Sequence, residues 1–135
     1  PALEFLEASG NFLGDAGVAA LAPAVERHPS LALLGLHKNQ LGDAAAAALA
    51  AALASGAPAL AYLGLNMNAI GDDGAAALAE GLPRFKALST LKLDNNALHD
   101  GVAALRAAAE ELPRELELHL NGNPGVGGAS MRTEL

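Results

Sequence analysis

Five asparagines, Asn11, Asn39, Asn68, Asn96 and Asn123, recur at intervals of 28, 29, 28 and 27 residues. Asp15, Asp43, Asp72 and Asp100 follow the first four of them by four residues each. An amide and a carboxylate that recur together could carry chemistry at every copy or hold every copy in shape. Shape is the stronger reading, because five chemical sites in one column would serve no reaction. An asparagine side chain both donates and accepts, so a stacked column of them can satisfy backbone groups that would otherwise be buried unpaired. An aspartate at a helix start can accept from the first free N–H groups and favours the positive end of the helix, so the four aspartates are read as helix N-caps. The pair Asp72 and Asp73 suggests a cation site, but calcium needs about six or more converging oxygens at EF-hand-like spacing, and no such cluster occurs.

The remaining chemistry-bearing groups are scattered. The histidines are His28, His37, His99 and His119. On parallel strands His37 and His119 would share a face three strands apart, roughly 14 Å, too far to share a metal ion. No serine is expected to have a histidine and an acid in reach together. The stretch from Gly122 to Ser130, GNPGVGGAS, nearly spells a phosphate-binding loop. Gly128 stands where the lysine is needed and Ala129 where the magnesium-holding hydroxyl is needed, so it is read as a turn leading into a tail. The expectation is therefore no enzyme, no metal and no cofactor.

The elements that position these residues follow from the apolar pattern. Each asparagine sits inside L-x-x-L-x-L-x-x-N-x-L: Leu31, Leu34, Leu36, Asn39 and Leu41 in the second copy, Leu60, Leu63, Leu65, Asn68 and Ile70 in the third, Leu88, Leu91, Leu93, Asn96 and Leu98 in the fourth. The first copy has Leu3, Leu6, Ala8, Asn11 and Leu13, and the fifth keeps Leu118, Leu120 and Asn123. The L-x-L alternation predicts a short strand with one buried face. Leu21, Leu49 and Leu78, with Val25, Leu53 and Leu82 four residues later, predict helices facing those strands. Alanine fills the helices because its small side chain allows close approach and its helix propensity is high. Pro23 is expected to kink the first helix or delay its start. Gly56 and Pro58 are expected to end the second.

This pattern resembles the leucine-rich repeat, and "LGDAGVAALA" after the asparagine is similar to the ribonuclease-inhibitor-like class. The resemblance implies an α/β solenoid, with a curved parallel sheet on the concave face and helices on the convex face. It has four full repeats and a partial fifth over residues 1–123, with a Gly-rich tail at 124–135.

Composition bounds the partner. The chain has 135 residues, with 15 Asp and Glu against 8 Lys and Arg, a net charge of −7. Nucleic-acid backbones call for clustered basic residues, so no nucleic acid is expected. The longest apolar run, Ala44 to Ala54, is too short to span a bilayer. The lack of cysteine suits an intracellular, cytoplasmic protein.

Between the framework leucines, three columns would point out of the sheet. The first reads Phe5, Leu33, Tyr62, Thr90, Glu117; the second Glu7, Gly35, Gly64, Lys92, His119; the third Ser9, His37, Asn66, Asp94, Asn121. Large apolar groups side by side on solvent mark a contact site. The candidate partner-binding residues are therefore Phe5, Leu33 and Tyr62 with His37, Asn66, Lys92, Asp94 and His119, and Gly35 and Gly64 would leave room for a partner's approach. The expected function is noncatalytic protein binding. The alternatives are a structural subunit of a large assembly, or a regulator of a small GTPase, since one GTPase-activating family resembles this repeat class. Arg27, Arg84, Arg106 and Arg114 map to helices or their ends, which does not favour an arginine finger on the concave face. Leu3, Phe5 and Leu6 arrive with no capping segment, so further repeats or a neighbour are expected at the N-terminal edge.

Overall fold

A computed structural model describes residues 3–126. Strands and helices alternate: β1 (Phe5–Glu7), α1 (Gly14–Arg27), β2 (Leu33–Gly35), α2 (Asp43–Ser55), β3 (Tyr62–Gly64), α3 (Asp72–Gly81), β4 (Thr90–Lys92), α4 (Asp100–Glu110) and β5 (Glu117–His119). A 3₁₀ turn, Leu82–Arg84, extends α3. The five strands form one parallel sheet in sequence order, and each helix packs on the next. The arrangement is solenoid-like: each strand–turn–helix unit touches its neighbours and buries one layer between strands and helices.

The buried layer follows the framework leucines. Leu34, Leu63 and Leu91 at the strand centres, Leu36, Leu65 and Leu93 beyond them, and Leu49, Leu78 and Leu105 from the helices are all fully buried. The first unit is less covered: Leu6, Leu13 and Leu21 are half-buried where their counterparts in the second unit, Leu34, Leu41 and Leu49, are enclosed. Gly125 donates its N–H to the Leu98 carbonyl and Val126 joins the core, so the packed unit extends past residue 123. Residues 127–135, which hold most of the Gly-rich tail and the end of the phosphate-loop look-alike, lie outside the described residues.

Pro23 lies inside α1, which begins at Gly14 with no late start. Pro23 and Ala19, whose carbonyl loses its helical donor to the proline, are both exposed, so water can serve that carbonyl. α2 ends at Ser55 with Gly56 as its C-cap, as the Gly–Pro punctuation implies. A side chain at Gly56 would run into the Glu26 backbone carbonyl, so glycine is required there by the close approach of two units.

The aspartates are not the N-caps of their own helices. α2, α3 and α4 start on Gly42, Gly71 and His99, α1 on Leu13, and none of these four side chains caps its helix. Each carboxylate instead reaches across to the next helix. Asp15 accepts from Gly42 and Ala45 N–H (2.8 and 3.1 Å), Asp43 from Gly71 and Gly74 (2.7 and 2.9 Å), and Asp72 from His99 and Gly101 (2.8 Å each). The reason is parallel stacking: successive helix N-termini lie side by side, and the carboxylate at the start of one helix faces the orphan N–H groups of its neighbour. Gly74 makes this possible in α3, since a Cβ there would stand 2.8 Å from the Asp43 carboxylate. Asp100 is exposed and has no following helix to cap among the described residues.

Candidate interaction surface

The asparagine column runs through the molecule as a chain of inter-unit bonds. Asn39 Oδ1 accepts from Asn11 and Leu13 N–H (2.8 and 3.1 Å), and Asn68 Oδ1 from Asn39 and Leu41 (2.9 and 3.0 Å). Asn96 Oδ1 accepts from Ile70 (3.0 Å), and Asn123 Oδ1 from Asn96 and Leu98 (3.0 and 3.1 Å). Each Nδ2 of these four donates to carbonyls of its own turn and of the unit before it, Asn68 to Leu65, Asn66 and Leu36 for example. Asn11 bonds carbonyls of its own turn, Ala8 and Ser9, and is exposed.

Left-handed turns accompany this column. The residue before every ladder asparagine has positive φ: Gly10 (74°), Lys38 (59°), Met67 (60°), Asn95 (58°) and Gly122 (81°). Gly10, Asn95 and Gly122 are types that tolerate this conformation and give a readable signal in the sequence; Lys38 and Met67 give none.

With the strands fixed, the outward columns fall into rows. The register pairs Phe5 with Leu33, Leu33 with Tyr62, Tyr62 with Thr90 and Thr90 with Glu117. Phe5 is 66% exposed, while Leu33 and Tyr62 are half-buried. The second column runs Glu7, Gly35, Gly64, Lys92, His119 in the same register. Gly35 and Gly64 do not leave open space. The Glu7 carboxylate lies over Gly35, and the Tyr62 ring edge covers Gly64, where a Cβ would meet it at 3.2 Å. The glycines thus form a floor on which the chain's own side chains lie flat, which is why Tyr62 is only half-exposed.

Two polar groupings flank the apolar row. At the far end, Glu117 Oε1 lies 3.4 Å from His119 Nε2 and accepts from the Thr90 hydroxyl at 3.4 Å. Asp94 Oδ1 is buried without a hydrogen-bond partner among the described residues. At the near end the sheet brings a serine, a histidine and an acid together, against the expectation that none would meet. Ser9 Oγ lies 2.6 Å from His37 Nδ1 and also bonds Glu7 Oε1, which is 4.0 Å from the same ring nitrogen. Parallel pairing sets Ser9 beside His37, and Glu7 shares the face two residues earlier.

The geometry is not that of a nucleophilic triad, in which the acid holds one ring nitrogen and the serine the other. Here both oxygens approach Nδ1. The consistent proton arrangement runs from His37 Nδ1–H to Ser9 Oγ and from the Ser9 hydroxyl to Glu7, which directs the serine proton to the carboxylate rather than to the imidazole. His28, elsewhere, accepts on Nδ1 from Ser30 and Leu31 N–H (3.3 and 3.0 Å) and closes the turn after α1.

Among the described residues no group of three or more His, Cys, Asp or Glu is placed to hold a metal ion, and no helix is long and apolar enough to cross a membrane. Of the four arginines among the described residues, Arg27, Arg84, Arg106 and Arg114, the last has a clear structural role. Its guanidinium bonds the carbonyls of Leu88, Phe85 (3.1 Å) and Leu82 (3.3 Å), tying the loop after α4 to the turn after α3.

No protein-family model matches the chain, and no curated protein matches its sequence. Among solved structures it is similar to one described as actin-binding site 2 of leiomodin-1. The TM-score is 0.79 at 17% identity, over 96% of this chain and 74% of that one. At that identity the likeness concerns the fold: a parallel sheet alternating with helices.

Proposed function

We propose that the chain is a noncatalytic protein-binding module, a leucine-rich-repeat solenoid of the ribonuclease-inhibitor-like class that meets its partner on a concave sheet face. The observation that carries this is the row Phe5, Leu33 and Tyr62, aligned on adjacent strands with Phe5 66% exposed. A protein that leaves such a row on solvent gains from covering it, and interface energy concentrates in a few large anchors, tyrosine among the commonest. Lys92, Asp94 and His119 on one side, and His37 and Asn66 on the other, would orient the partner. An actin-binding site of similar fold favours protein binding over catalysis. An intracellular, cytoplasmic setting fits the cysteine-free composition.

The test is binding of Tyr62→Ala and Arg84→Ala to a partner captured with the intact chain. Tyr62→Ala is expected to weaken binding by ~2 kcal/mol or more, and Arg84→Ala, on the helix side, to leave it unchanged. Normal binding by Tyr62→Ala with loss on substitution of the helix face would favour the structural-subunit reading, which draws support from the exposed Leu3 and Phe5 at the sheet's first edge.

A further inference from the structure

A second surface stands apart from the sheet face, at the turns that join strands to helices. Lys38 (φ 59°) and Met67 (φ 60°) precede ladder asparagines, and Phe12 (φ 54°) and Gln40 (φ 59°) follow them. None is glycine, and bulky side chains rarely adopt this conformation. Phe12 and Met67 are also 75% and 43% exposed, two of the four large apolar side chains so placed among the described residues. With Asn68 and Ala69 these four residues line a shallow groove of about 440 Å³ whose walls are mainly carbon, and Lys38 is its sole charged lining residue.

The turns themselves differ in a way that creates the groove. At the third and fourth turns the residue after the asparagine donates back to the previous unit, Ala69 to Leu41 and Ala97 to Ile70 (2.7 and 2.8 Å). At the first two turns that residue is left-handed and its side chain, Phe12 or Gln40, is exposed. Backbone strain and solvated apolar area at the same positions disfavour folding twice over, and strain of this kind gathers at ligand clamps.

We propose that this groove seats a large apolar side chain from an acidic peptide segment of a partner. Phe12 and Met67 belong to the first and third units, two strand spacings or roughly 10 Å apart, the width needed to admit one aliphatic side chain or aromatic ring between them. The flexible thioether of Met67 adapts to the shape it meets. Lys38, from the unit between, would pair with a carboxylate adjacent to the inserted side chain. The preference for acid is local: Lys38 is the one charged residue lining the groove, so a carboxylate is the complementary group there.

The experiment is an amide chemical-shift titration of the full 135-residue chain with the blocked tetrapeptide Glu-Leu-Phe-Glu, and with Lys-Leu-Phe-Lys as its charge-reversed counterpart. The acidic peptide should give saturable shifts at Phe12, Lys38, Gln40, Met67 and Asn68, with affinity about tenfold above the basic peptide. Lys38→Glu should invert that preference. Phe12→Ala and Met67→Ala, both exposed and checked for folding by circular dichroism, should each weaken binding about fivefold or more. Tyr62→Ala should leave it unchanged, which separates this groove from the sheet face. Three results would overturn the proposal: no saturable shift at millimolar peptide, shifts centred on Phe5, Leu33 and Tyr62, or the same shifts produced by raising protein concentration alone, which would make the groove a contact between copies.

Discussion

Asn68 shows what a single side chain does here. It accepts two backbone N–H bonds from the unit before it and donates to three carbonyls. Asn68→Ala strands those groups in a part-buried turn and should cost about 1–3 kcal/mol, read as a lower urea midpoint with an unchanged slope. An unchanged midpoint would remove the ladder as a source of stability. Asp72 adds a pH dependence. The backbone N–H of His99, then that of Gly101, hold its carboxyl below the ordinary carboxylate range, with burial opposing them. Its native pKa is therefore depressed below the unfolded value, so the stability it contributes is full above about pH 4 and is lost as pH falls through the native pKa. Asp72→Asn should lower stability at neutral pH and flatten the acid limb of the stability curve; an acid limb identical to wild type would show that other carboxylates set it.

At the scale of the element, the aspartates separate two kinds of capping. Because Asp43 begins α2 but bonds the start of α3, Asp43→Ala should release the amides of Gly71 and Gly74 to hydrogen exchange while the first turn of α2 keeps its protection, at a total cost of about 0.5–2 kcal/mol. Loss of protection at α2 instead would return the carboxylate to its own helix. The spacing of Asp after Asn is visible in the sequence, and so are the strands and the helix faces, because periods of two and near 3.6 report which side chains share a face. The first two outward columns read from that spacing are paired in register in the sheet, and the third lies just beyond the strand ends. The direction in which Asp43 reaches is not legible, since a linear sequence does not say that a neighbouring helix start lies closer than the carboxylate's own. The same blindness hides the meeting of Ser9, His37 and Glu7, the covering of Gly35 by Glu7, and the left-handed turns at Lys38 and Met67, whose residue types give no sign of it.

Over the whole molecule, apolar exposure is concentrated at one end. Leu3 (50%), Phe5 and Phe12 all belong to the first unit, β1 pairs on one side only among the described residues, and Leu6 and Leu13 are half-buried. The 135-residue chain should therefore self-associate as its concentration rises, by light scattering, and replacing Leu3 and Phe5 by glutamate should abolish this by charging the edge. A chain that stays monomeric at high concentration would show that this edge needs no cover.

The asparagines and aspartates reach in opposite directions along the chain. Asn68 serves the unit before it and Asp43 the unit after it, and the second and third units each carry both connectors. Copying one whole unit into the chain would thus bring along the groups that join it on either side, with no new contact to be invented. Length in such a molecule is a nearly free variable, adjustable by duplication in steps of about 28 residues, while the exposed side chains of every copy stay open to change.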